Sequence, residues 1–200
     1  MKATFLTLIS LVYIFFSQTK EKKTEPPNEY FVDSLKIGNP GFNKIVLNYY
    51  VDSESYVVIR FYSKKGEKWV LRNKFQFEKD LVASCDPVLE DYNHDHKNDF
   101  TYVSGIAARG ANEVRRLFIY NPEKDELISI KNSENFPNLM YNKKLNCVDS
   151  QMFHGGTTTV FLKLEKDSLR TIATVNNDNE QVVTIYNKKG KPKERQPTKV

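Results

Sequence analysis

The chain has 200 residues, 28% of them charged and 40% hydrophobic, with two cysteines and a net charge of +5. That length, less its ends, carries one core rather than two. The positive charge is too unevenly placed for a nucleic-acid-binding face: without Met1–Thr19 the net is +4, the last thirteen residues hold six basic side chains against Glu194, and the body between is left at −1.

Residues 1–19 read as an export signal. Lys2 supplies the positive start, and Ala3 to Phe16 is an almost unbroken apolar run. At about 14 residues it is short of the ~20 that a membrane-spanning helix needs. Ser17-Gln18-Thr19 places small residues at a cleavage site; an uncleaved anchor is the alternative. With no cysteine beside that site, a lipid anchor is not expected, nor is a transmembrane domain. The protein is expected in the periplasm or outside the cell. Residues 20–36, polar and broken by Pro26-Pro27, read as a linker. Residues 37–187 form the domain, and 188–200 a basic disordered tail.

Within the domain the pattern is β throughout. Val57, Ile59 and Phe61 alternate with Tyr56, Val58, Arg60 and Tyr62, then turn at Ser63-Lys64-Lys65-Gly66 into a run from Trp69 to Phe77. Val114–Tyr120 turns at Asn121–Asp125 into Leu127–Ile130, Thr158–Leu164 turns at Glu165–Ser168 into Leu169–Val175, and Gln181–Tyr186 ends at Asn187-Lys188-Lys189-Gly190. The turns after Tyr120 and Leu164 resemble each other at a spacing of 42 residues, Glu123 to Glu165, within the ~40–45 of a propeller blade. The expected fold is all-β: a small or incomplete β-propeller-like array of antiparallel hairpins, or alternatively a β-sandwich.

The most informative stretch is Asp91-Tyr92-Asn93-His94-Asp95-His96-Lys97-Asn98-Asp99. Asp91, Asn93, Asp95 and Asp99 stand at relative positions one, three, five and nine, and the Lys97 carbonyl at seven. A tight loop turns such alternate groups toward one point, and an all-oxygen set suits Ca²⁺. An EF-hand is excluded, because position twelve is Tyr102 instead of Glu and the flanks are apolar strands. His96 stands where Gly would serve the left-handed turn, at a strain of order 1 kcal/mol. The expected affinity is that of extracellular modules, ~10⁻⁴–10⁻³ M; a solvated turn without metal is the plain alternative. His94 and His96 beside Asp95 offer a rival zinc set, but alternation sends both imidazoles to solvent when the oxygens point inward.

Cys85 and Cys147 are expected to pair in an oxidising compartment. The bridge would close about 60 residues and stabilise by up to ~4 kcal/mol; two buried free thiols are the alternative. The loop Ala107–Glu113 is the best partner-contact candidate, with Arg109, Asn112 and Glu113 as contact residues. No catalytic set is visible: Glu90 and Asp91 are adjacent, which sends them to opposite faces of a strand.

The run Asp91-x-Asn93-x-Asp95-x-x-x-Asp99 before a strand resembles the calcium loop of FG-GAP/VCBS repeats, found in integrin-type propellers. A longer stretch, from Pro87-Val88-Leu89-Glu90 through Asp99-Phe100 to the Phe118–Leu127 hairpin, resembles an exported bacterial propeller-like family that includes periplasmic inhibitors of lysozyme-like toxins. The likeness covers roughly residues 81–175. It departs at His96, and the Phe-Gly…Gly-Ala-Pro stretch of the repeat family is missing. The resemblance implies calcium ligation by Asp91, Asn93, Asp95 and Asp99. It also implies an exported, non-enzymatic interaction module with a protein partner, such as a lysozyme-like hydrolase, or a cell-wall glycan. The alternative function is a secreted hydrolase of polysaccharide or phosphate esters with the cation in its site.

Overall fold

A computed structural model describes residues 26–51, 54–178 and 180–197. The export signal and the start of the linker, residues 1–25, lie outside the described residues. The described chain is all-β, in three antiparallel sheets whose strands follow one another in chain order. The first sheet is β1 (Glu29–Asp33), β2 (Asn43–Tyr50), β3 (Tyr56–Lys65) and β4 (Lys68–Glu78). The second is β5 (Val88–Glu90), β6 (Asp99–Ala107), β7 (Asn112–Asn121) and β8 (Glu126–Ser129). The third runs β9 (Leu139–Asn142), β10 (Cys147–Phe153), β11 (Thr157–Glu165), β12 (Ser168–Asn177), β13 (Gln181–Tyr186) and β14 (Pro192–Pro197). Each is an open antiparallel meander, the first two of four strands and the third of six, where a propeller blade has four. Among the described residues no helix is long and apolar enough to cross a membrane.

The sheets stack because the middle one is apolar on both faces. Along β7, Phe118 and Tyr120 point to one side and Leu117 and Ile119 to the other, as a period of two requires. The first pair meets Ile45, Leu47, Ile59 and Phe61 of the first sheet; the second meets Leu139, Val148, Val160 and Leu162 of the third. The first core is aromatic at its centre. Phe118 lies 5.1 Å from Phe75, 5.9 Å from Phe100 and 6.0 Å from Phe77, ring centroid to centroid, with the tilts aromatic pairs prefer.

The structure corrects three expectations. Residues Glu29–Asp33, within the expected linker, form β1, paired with β2 in register Phe31↔Leu47. Residues Pro192–Pro197, within the expected disordered tail, form β14, paired with β13 in register Val183↔Gln196. Both are edge strands, where prolines and lysines are tolerated because one side makes no ladder bonds. In β14 that composition is what makes the segment read as unstructured, whereas β1, Glu-Tyr-Phe-Val-Asp, is hidden by the polar, Pro26-Pro27-bearing residues just before it. The cysteines, finally, do not pair. Both are free and buried. Cys85 packs in the first core, whereas Cys147 opens β10 of the third sheet, so the middle sheet stands between them. Burial, reinforced by the Glu29 carboxylate, pushes the Cys85 thiol up to about 12, which keeps it protonated and inert.

Candidate metal centre

The loop Asp91–Asn98 is the turn between β5 and β6. Glu90 pairs with Asp99 and Leu89 with Phe100, so the first and last carboxylates of the motif flank the hairpin's mouth. Tyr92 turns the other way and fills the second core, anchoring the loop from below. The segment after β1 braces it from the first sheet: Ile37 is fully buried, the Gly38 N–H donates to the Asn98 carbonyl at 3.0 Å, and Asn98 Nδ2 donates to the Lys36 carbonyl at 3.1 Å.

Inside this frame the loop is held by its own side chains. Asp91 accepts the N–H groups of Asp95 (3.2 Å) and His96 (2.9 Å). Asn93 Oδ1 accepts the Asp95 N–H at 3.1 Å, and Asn93 Nδ2 donates to Asp95 Oδ2 at 3.0 Å. Asp95 Oδ1 accepts the Lys97 N–H at 2.8 Å. Aspartate and asparagine favour such local bonds. Left-handed backbone at His94 (φ 62) and His96 (φ 67) lets the chain double back; the sequence pattern anticipates the second of these but not the first.

Asp99 differs from the rest. It is 0% exposed, with one oxygen accepting the Tyr92 N–H and the other the Tyr120 N–H, both at 2.8 Å. Burial pushes its carboxyl up to about 8 in spite of those two donors, and the charges of Asp95 and Asp91 push the same way. Among the described residues no Lys, Arg or His side chain forms an ion pair with Asp91, Asp95 or Asp99. Asp91 and Asp95 lie near enough to act on Asp99 through their charge, with no cationic side chain to balance them, but the three carboxylates do not converge: among the described residues the group of acidic, imidazole or thiol ligand atoms that closes to within 4.8 Å is Asp91 with His94 and His96. Each carboxylate oxygen keeps a lone pair beyond the N–H it accepts. The donors have the chemistry a hard divalent cation takes, all-oxygen and acidic, and would have to draw together to share one ion.

The expected partner-contact residues separate. The Ala108–Gly110 turn is exposed, and Arg109 sits on it at φ 56. Asn112 is corrected: it is buried, its Oδ1 accepting the Phe153 N–H and its Nδ2 donating to the Phe153 carbonyl, both at 2.9 Å. That two-bond clasp ties β7 to β10, and leaves Asn112 no side chain to offer a partner. Glu113 is tied to Arg115, whose Nε donates to Glu113 Oε1 at 2.5 Å. The same guanidinium donates to the Asp86 carboxylate at 2.6 Å and to Thr101 Oγ1 at 3.2 Å. Arg115 gave no signal in the sequence, since its partners come from three segments. The Arg109 turn and the metal loop lie at opposite ends of β6, roughly 25–30 Å apart for a strand of that length; they are two places, not one site.

No protein-family model and no curated protein matches the sequence. Solved structures do: a type IV secretion system related protein from Xanthomonas aligns with a TM-score of 0.54 and 12% identity, over 86% of this chain and 93% of its own. At that identity the likeness establishes a shared all-β fold over nearly the whole of both chains.

Proposed function

We infer that this chain is an exported interaction module in which Ca²⁺, held by Asp91, Asn93, Asp95, Asp99 and the Lys97 carbonyl, braces the end of the middle sheet, and that it acts as an inhibitor or immunity protein against a cell-wall hydrolase. The observation that supports the metal part is Asp99: a buried carboxyl without a cationic partner, raised to about 8 by burial and further by the Asp95 and Asp91 charges, which a bound cation would hold ionised at neutral pH. Bound calcium offsets that repulsion and joins the β5–β6 turn to the start of β6. The ion is a brace and not a reagent in this reading, and the protein works by contact. The Arg109 turn is the proposed contact point, exposed on a scaffold whose three sheets are packed together; a guanidinium there suits a carboxylate on a protein or glycan partner. The fold shared with a secretion-system-related protein, and the export signal read in residues 1–19, support work outside the cytoplasm.

Two measurements test it. Calcium at about 1 mM is expected to raise the melting temperature, and Asp95→Ala to abolish that rise; with a Kd of ~10⁻⁴–10⁻³ M the gain is about 0.4–1.4 kcal/mol. Lysozyme-type activity on cell-wall substrate is expected to fall when the protein is added at micromolar concentration, and less so with Arg109→Ala. No inhibition, together with no retained protein or glycan in a pull-down, would overturn the interaction reading. Turnover of a polysaccharide or phosphate ester that chelator abolishes would establish the hydrolase alternative in its place.

A further inference from the structure

The two histidines of the loop have no part in an all-oxygen site. In extended chain, residues two apart point to the same face, but a ligand loop that turns its odd positions inward leaves the even ones to solvent. Here the left-handed backbone at both His94 and His96 brings the imidazoles together on the rim, ring centroids 5.2 Å apart and inclined at 62°. Asp91 stands beside them: one carboxylate oxygen and a ring nitrogen from each histidine all lie within 4.8 Å of one another. The His94 ring is also held from another sheet. Tyr141 of β9 stacks on it at 5.7 Å and 22°, with its hydroxyl donating to Asn146 Oδ1 at 2.8 Å.

We propose that Asp91, His94 and His96 form a second metal site, for a borderline divalent transition metal such as Zn²⁺, on the outer rim of the loop. Two imidazoles and a carboxylate are ligands such an ion prefers and that Ca²⁺ does not seek. A tetrahedral zinc with N and O ligands at 2.0–2.2 Å needs them about 3.3 Å from one another; side-chain rotation of two exposed imidazoles closes the remaining gap. The Asp91 carboxylate accepts two backbone N–H groups and has lone pairs left for a metal. Three protein ligands leave a position open, to water or to a side chain of a partner. Tyr141 serves as the outer support that orients one ligand ring. The site shares Asp91 with the calcium reading but does not rest on it.

The test is calorimetric titration of the untagged full-length chain with ZnCl₂, in saturating Ca²⁺ and again in calcium-free buffer. One zinc per chain is expected in both. The double substitution H94N/H96N, chosen because Asn tolerates left-handed backbone, is expected to weaken zinc binding by at least ~10-fold, and Tyr141→Ala by up to about 10-fold. His154→Ala, the third histidine, is expected to change nothing. Thermal melts establish that each variant is folded. Zinc binding that is absent from the wild-type chain, or that survives H94N/H96N undiminished, overturns the proposal while leaving the calcium reading intact. Zinc binding in a chain with no calcium response upholds it and removes the other.

Discussion

Individual side chains in this protein do their work by bonding across sheets. Asn112 bonds both backbone groups of Phe153, and its own Oδ1 also accepts Asn138 Nδ2 at 3.3 Å. Removing it leaves a half-buried N–H and carbonyl of Phe153 without their partner; a fully buried group left so costs about 1–3 kcal/mol, and two half-buried ones together cost about as much. Asn112→Ala is therefore expected to lower stability by ~1–3 kcal/mol in urea unfolding, and a loss below ~0.5 kcal/mol would show that Phe153 finds water instead. Such roles are invisible locally. An exposed-looking Ala-Asn-Glu after a glycine reads as a loop, and only the return of the chain 41 residues later supplies the partner.

Among the elements, the β7–β8 turn is where the first two sheets lock. Asp125 Oδ1 accepts Asn43 Nδ2 at 2.8 Å and the Tyr120 hydroxyl at 3.1 Å, while Arg72 Nε donates to the Asp125 carbonyl at 3.0 Å. Burial alone would raise the Asp125 carboxyl. The nearby Ser63 hydroxyl, the two donors just named and the Arg72 charge outweigh it, so the group is held below its ordinary value. A carboxyl depressed in the folded state adds stability above its unfolded value, near 3.9, and that stability disappears as pH falls through the folded value. Asp125→Asn is expected to be less stable than wild type at pH 7, with the difference shrinking below about pH 4. A difference that stays constant from pH 7 to pH 3 would show that the carboxylate's charge is not what matters. The turn itself was legible, because Asn-Pro-Glu-Lys-Asp is strong turn chemistry; its use as a lock between sheets was not.

The whole molecule is three meanders in series, and the hairpins that look alike in the sequence occupy like places in it. The turns after Lys65, Asn121 and Glu165 each join the third and fourth strands of their sheet. The last two keep the 42-residue spacing; the first stands off it because β4 has 11 residues against 4 in β8, and because the metal loop is longer than the turn between β9 and β10. Stability at this scale rests on the middle sheet, which both cores share. Phe118, fully buried amid Phe75, Phe77, Phe100 and Tyr102, is its centre. Phe118→Ala is expected to cost ~3–5 kcal/mol, measured as a fall in the denaturation midpoint. A smaller loss with an unchanged fold would mean that the surrounding rings collapse into the gap.

What the sequence determined alone was everything carried by near neighbours along the chain. Alternation of apolar residues set the strands, Asn, Asp and Gly set the turns, and one nine-residue run placed Asp91, Asn93, Asp95 and Asp99 on or beside a single loop. What only the tertiary structure decided was which side of the middle sheet each residue faces. That kept Cys85 and Cys147 apart, buried Asn112, recruited the charged and proline-bearing ends as edge strands, and joined His94 and His96 to Asp91 beneath Tyr141. These outcomes depend on contacts between segments far apart in sequence, whose geometry exists only once the three sheets have packed.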